Sequence, residues 1–147
     1  MYKHLLLPTD GSPRSARAVT SGVALAKRTG ARVTGLFVAP PATPLVFEHF
    51  VPVKYMTPED HAELIKHEAQ RALAVLEQSA AQAGVVCKTV VVTSDFPAEA
   101  IIEAARKHRC DLIVMASHGR SGLSAVLLGS ETQKVLTHSK VPVLVHR

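Results

Sequence analysis

The residues best suited to chemistry lie in one stretch, Met115-Ala116-Ser117-His118-Gly119-Arg120-Ser121-Gly122-Leu123-Ser124-Ala125-Val126-Leu127-Leu128-Gly129-Ser130. It is rich in Gly and Ser, carries one Arg and one His, and runs into a segment of helical pattern. Glycines let backbone N–H groups come close to a phosphate, and a helix N-terminus adds partial positive charge. The spacing matches neither a Walker loop nor G-x-G-x-x-G, so it points to phosphate binding without naming a nucleotide fold. A second polar group, Pro8-Thr9-Asp10-Gly11-Ser12, closes an apolar run. Asp10 and Ser12 can each cap the helix that follows, or Asp10 can face a ligand.

Other chemistries fit poorly. Ser117 and His118 are adjacent, which does not suit a nucleophile–base pair, and no G-x-S-x-G elbow is present. His118 reads as a hydrogen-bonded turn residue more readily than as an acid or base. Eight histidines suggest a metal, yet His61 and His67 face different directions on a helix and no H-E-x-x-H occurs. A phospho-acceptor domain needs an acidic cluster that the chain does not supply. Ser130-Glu131-Thr132-Gln133 fits a capping box, with the Ser130 hydroxyl expected on the Gln133 N–H. No residue set assembles a general base with a nucleophile.

These groups need a scaffold, and the chain of 147 residues is the size of one ordinary domain, 1–147. Apolar residues make up 47% and charged residues 20%, a globular composition. Seventeen Lys and Arg against twelve Asp and Glu give a formal charge of +5, but the bases are scattered. With no Trp and 4% aromatics there is little on which nucleobases could stack, so no nucleic-acid partner is expected. No apolar run approaches the roughly 20 residues of a membrane span. The opening leucine run stops at Pro8, too short for a signal-peptide core, so a cytoplasmic protein is expected. Cys87 and Cys110 show no C-x-x-C spacing and read as two buried, reduced thiols.

Short apolar runs alternate with amphipathic stretches. Strands are expected at His4–Pro8, Arg32–Val38, Val85–Thr93, Asp111–Ala116 and Val141–Val145. Helices are expected from Ser12 to Thr29, from Thr57-Pro58 to Gly84, from Pro97 over Ala98, Ile101, Ile102 and Ala105, and from Ser130 to Ser139. Residues 39–57, with Pro40, Pro41, Pro44 and Pro52, read as a long Pro-rich loop without a regular element. The fold class is α/β: one doubly wound, five-stranded parallel sheet with helices on both faces. Ligands of such sheets bind beyond the carboxyl ends of the strands, where the strand order reverses. The polar groups after strands one and four, and Val38-Ala39 after strand two, belong there.

Over nearly its whole length the chain resembles the universal stress protein family. The resemblance is carried by Leu5-Leu6-Leu7-Pro8-Thr9-Asp10-Gly11-Ser12, Ser117-His118-Gly119-Arg120-Ser121-Gly122-Leu123, Leu127-Leu128-Gly129-Ser130 and Val141-Pro142-Val143-Leu144-Val145. It implies a Rossmann-like fold of the adenine nucleotide α-hydrolase type, and a homodimer that pairs Val141–Val145 with a second copy. That pairing would also shield an apolar edge strand. One branch of the family binds ATP through G-x2-G-x9-G-[S/T], and another lacks the motif and the nucleotide. Here Gly119 and Gly129-Ser130 fit the second and third glycines and the hydroxyl, while Ala116 stands in the first glycine position. Glu131 is a second departure, since a carboxylate on the first helical turn repels phosphates unless it points away or meets a metal. By resemblance, Asp10 would contact the adenine within a pocket of Pro8, Thr9 and the Val38 backbone, and Met115 and Ala116 would lie along the ribose. Gly119, Gly129, Ser130 and the Thr132 N–H would hold the phosphates, with His118 nearby. Mg²⁺ would arrive on the phosphates. The implied function is a nucleotide-dependent stress sensor or interaction module with at most slow ATP hydrolysis. A nucleotide-free dimeric interaction protein is the alternative, and an enzyme acting on a phosphorylated metabolite is a third.

Overall fold

The computed structural model describes residues 1–42, 46–48, 51–54, 57–120 and 127–147, with 46–48 and 51–54 given by their backbone. The elements run β1 (His4–Pro8), α1 (Pro13–Thr29), β2 (Arg32–Ala39), β3 (Val46–Glu48), β4 (Val51–Lys54), α2 (Pro58–Ala83) and β5 (Cys87–Thr93). They continue as α3 (Pro97–Lys107), β6 (Leu112–Ala116), α4 (Ser130–His138) and β7 (Val143–His146). Five strands form a parallel sheet in the order β5-β2-β1-β6-β7. Strand order reverses between β1 and β6, so the loops that leave these two strands diverge and open a crevice.

The reason β1 is apolar without alternation is visible in its packing. Leu5 and Leu7 point into a core with Val19, Val23 and Ala26 of α1 and Leu76 and Ala80 of α2. Leu6 points the other way, among Ala98, Ile101 and Ala104 of α3 and Val135 of α4. Both faces of a central parallel strand are covered, which is why no polar face is needed. Helix α2 starts as its sequence suggests. The Thr57 hydroxyl accepts from the Asp60 N–H at 3.0 Å, and an Asp60 carboxylate oxygen accepts from the Thr57 N–H at 3.4 Å.

Three expectations need correction. Residues 39–57 are not without regular structure, because β3 and β4 pair as an antiparallel hairpin and Ala39 extends β2. Pro52 is tolerated in β4 because a two-stranded ribbon leaves an outer side where no N–H is required, and the pairing is irregular between Val46 and Phe47. Ser130 is not a helix cap. Gly129 takes the cap position in extended geometry, the Gln133 N–H bonds the Gly129 carbonyl at 3.0 Å, and Ser130 becomes the first helical residue. The cysteines differ from each other: Cys110 is buried and Cys87 half-buried, both unpaired. Burial, reinforced by the Asp111 charge, pushes the Cys110 thiol up to about 11, which makes it a poor nucleophile.

Candidate functional site

A cleft of ≈ 500 Å³ crosses the carboxyl ends of β1, β2 and β6 at the point of strand reversal. Such a volume is ordinary for a small-molecule site, typically about 300–1,000 Å³. Pro8, Thr9 and Asp10 line it from β1 and its loop, Val38 from β2, and Met115, Ala116, His118 and Gly119 from β6 and its loop. Gly129, Ser130 and Thr132 line it from the start of α4. The structure therefore brings to one cleft every residue that the family motif would place on a nucleotide.

Asp10 organises the floor of this cleft. One carboxylate oxygen accepts from the Ser12 N–H and the Ser15 hydroxyl, both at 2.9 Å, and the other accepts from the Arg120 N–H at 2.9 Å. Burial pushes its carboxyl up, but the donors from Ser12, Ser15 and Arg120 outweigh that and hold it below the usual carboxylate range. The cap of α1 is Ser12, whose hydroxyl accepts from the Ser15 N–H at 3.2 Å. Asp10 is left to tie the loop after β1 to the loop after β6. Arg120 reinforces the tie: its Nε–H donates to the Asp10 carbonyl at 2.9 Å and its Nη1 pairs with Glu68 of α2 at 3.3 Å.

Two glycines permit this geometry by close approach. A Cβ on Gly119 would stand 2.8 Å from the Asp10 Oδ2. A Cβ on Gly129 would stand 3.2 Å from the Ser117 carbonyl oxygen, which instead accepts the Gly129 N–H at 2.8 Å. The two ends of the loop after β6 thereby meet. His118 is buried, with Nδ1 at 3.1 Å from the Ser117 hydroxyl. The Thr132 hydroxyl donates to the Ala116 carbonyl at 3.0 Å.

The two departures from the motif have different standing. Ala116 lies in β6, and among the described residues the only non-glycine with positive φ is Arg109. An alanine therefore costs nothing in backbone conformation at this position, and only its methyl remains to be accommodated. Glu131 lines the cleft, and its carboxylate is engaged on both sides. One oxygen accepts from the Ala98 N–H at 2.9 Å and the other pairs with Lys134 at 3.1 Å. It thus supplies the side-chain acceptor that α3 lacks at its own cap, Phe96.

Sequence reasoning passed over several lining residues. Ser15 could have been found, since a second hydroxyl on the first turn after Asp10 is a ready partner for its carboxylate. Leu36, Pro97 and Ile101 also line the cleft, brought there by the packing of β2 and α3 and by no local signal. Among the described residues, no three His, Cys, Asp or Glu side chains converge on a metal-binding arrangement. No helix of the described residues is long and apolar enough to cross a membrane.

Comparison with known proteins agrees with this architecture. The chain is 36% identical over 145 residues to a universal stress protein of Methanocaldococcus jannaschii, covering 99% of this chain and 82% of that one. Among solved structures it is similar to UspA, a universal stress protein from Lactobacillus plantarum, with a TM-score of 0.78 and 28% identity over 99% of this chain and 98% of that one. It also shares the fold of a universal stress protein solved in complex with cAMP, at a TM-score of 0.70 and 24% identity, covering 99% and 97% of the two chains. The universal stress protein family model matches residues 1–147 from end to end. With that match, and with the strand order and the glycine-framed cleft in place, the chain belongs to the universal stress protein family.

Proposed function

We propose that the cleft binds an adenine nucleotide, ATP with Mg²⁺ carried on its phosphates, and that the protein is a cytoplasmic, nucleotide-dependent stress-response sensor or interaction module. The observation that carries this reading is the convergence of Pro8, Asp10, Val38, Ala116, Gly119 and Gly129 on one cleft at the strand reversal. Pro8, Thr9, Asp10 and Val38 would hold the base, and Met115 and Ala116 would follow the ribose. Gly119, Gly129, Ser130 and the Thr132 N–H would meet the phosphates, close to His118. The start of α4, which opens behind Gly129 and lines the cleft, fits an anion. The metal would neutralise phosphate charge and be held mainly by the phosphates themselves. With no general base placed against a nucleophile among the described residues, hydrolysis would be slow or dependent on a partner.

Titration calorimetry with ATP, ADP and AMP in Mg²⁺ tests the reading, together with assay of nucleotide retained through purification. Binding in the micromolar range is expected, and no binding at millimolar ATP overturns it. Ala116→Gly belongs in the same experiment. It is expected to change affinity less than about tenfold, the low end for one methylene in a pocket, and to cost roughly 0.5–1 kcal/mol of stability. Substantially tighter binding would identify the methyl as the obstacle.

The dimer reading has its own observation. Among the described residues strand β7 pairs only with β6 in the sheet, and Leu144 on this edge is 41% exposed. An apolar edge of this kind invites a second copy. Leu144→Glu is expected to halve the mass seen by light scattering at micromolar concentration while leaving circular dichroism unchanged. A wild-type protein that is monomeric at several hundred micromolar removes the dimer.

A further inference from the structure

Given that the cleft takes an adenine nucleotide, as proposed above, we propose that Glu131 is a charge filter at its phosphate end. It admits a single phosphate, as in a nucleoside monophosphate or cyclic nucleotide, without metal, and it makes a triphosphate dependent on a bound divalent cation. The charges lining the cleft carry this. Among the described lining residues the carboxylates are Asp10 and Glu131, and Arg120 is the one permanent cation. Asp10 is held in its ionised form by three donors. Arg120 is committed elsewhere, since its guanidinium donates to the Asp10 carbonyl and pairs with Glu68. No uncommitted cationic side chain of the described lining residues is left to meet phosphate.

What remains for an anion is the backbone and the start of α4, worth about half a unit of positive charge. Glu131 is the second residue of that same helix, directly after Ser130. A full negative charge there offsets the helix end, and Lys134 at 3.1 Å softens the offset only partly because the pair is 57% and 38% exposed. A cyclic phosphate brings one negative charge and a monophosphate up to two. A triphosphate brings about four, and its outer groups must then extend past a carboxylate unless a metal cancels them.

The other role of Glu131, accepting the Ala98 N–H, can be separated from its charge. Glu131→Gln keeps an acceptor oxygen for that N–H and removes the charge. Calorimetry with AMP and with ATP is run in a metal-chelating buffer and again in excess Mg²⁺, on wild type, Glu131→Gln and Lys134→Gln. In wild type without metal, AMP is expected to bind at least about tenfold more tightly than ATP, with Mg²⁺ closing the gap. Glu131→Gln is expected to raise metal-free ATP affinity about tenfold and AMP affinity less than about threefold. Lys134→Gln is expected to act in the opposite direction on metal-free ATP, by about threefold. Thermal melts of the three proteins check that they remain folded. If AMP binds and metal-free ATP binds equally well in wild type and Glu131→Gln, the filter is overturned while the nucleotide site stands. If neither nucleotide binds under any condition, the site itself falls, and the filter with it.

Discussion

Gly119→Val is expected to abolish nucleotide binding, lowering affinity by at least about a hundredfold, and to cost roughly 1–3 kcal/mol of stability. The cause is contact geometry. A Cβ at this position would stand 2.8 Å from the Asp10 Oδ2, closer than a carbon and a carboxylate oxygen can approach. Asp10 cannot yield cheaply, because its oxygens are held by Ser12, Ser15 and Arg120. The valine must displace either the carboxylate or the loop, and both form the floor of the cleft. Its branched side chain has little rotamer freedom with which to turn away from that carboxylate. Loss of stability alone would give a weaker result, and a second substitution separates the two. A Cβ on Gly35 would stand 2.7 Å from Leu76 Cδ1 in the core under α2, and Gly35 does not line the cleft. Gly35→Ala is therefore expected to lower the melting temperature while retaining nucleotide. If both variants lose binding in proportion to their stability, Gly119 is merely structural.

Local signals and tertiary ones divide cleanly here. The five parallel strands and four large helices were legible because each has a period and a punctuation mark. Gly30 and Gly84 end α1 and α2 in left-handed conformations, as a glycine after an amphipathic stretch suggests. The β-hairpin was not legible, because prolines at 40, 41, 44 and 52 outweigh a short β-branched run in any reading of propensity. Ser130 shows a finer limit. The Ser-Glu-Thr-Gln pattern fits a capping box, yet a glycine one position earlier takes the cap, a shift of one residue that sequence pattern does not resolve. The partner of Glu131 is an N–H thirty-three positions away on α3. The carboxylate could be flagged as a problem for phosphate from sequence, but where it turns is decided by helix packing. Pro97 and Ile101 reach the cleft by the same packing, so the wall they form was invisible while the floor around Asp10 was not.

Asp10→Asn tests whether the floor depends on charge as well as shape. The amide has the same outline but one acceptor oxygen in place of two. If that oxygen keeps the Ser12 N–H and the Ser15 hydroxyl, the NH₂ group faces the Arg120 N–H, donor against donor; if it flips, the Ser12 N–H loses its acceptor. One backbone N–H loses its charged acceptor either way, which costs roughly 1–3 kcal/mol. For a chain of this size that is a fall in melting temperature on the order of 3–10 °C near neutral pH. The pH dependence fixes the cause. The folded protein holds the Asp10 proton less tightly than the unfolded chain does, so ionised Asp10 stabilises the fold above its ordinary value of 3.8. That contribution disappears as pH falls through the depressed folded value. The gap between wild type and Asp10→Asn should therefore stay constant from neutrality down to about pH 5 and then narrow with further acidification. Parallel melting curves down to about pH 2 would mean that the carboxylate charge contributes nothing to the tie between the two loops. A narrowing gap, coupled with weaker binding of adenosine and ATP alike, would place Asp10 at the base end of the cleft and make it the residue that links nucleotide recognition to the stability of the site.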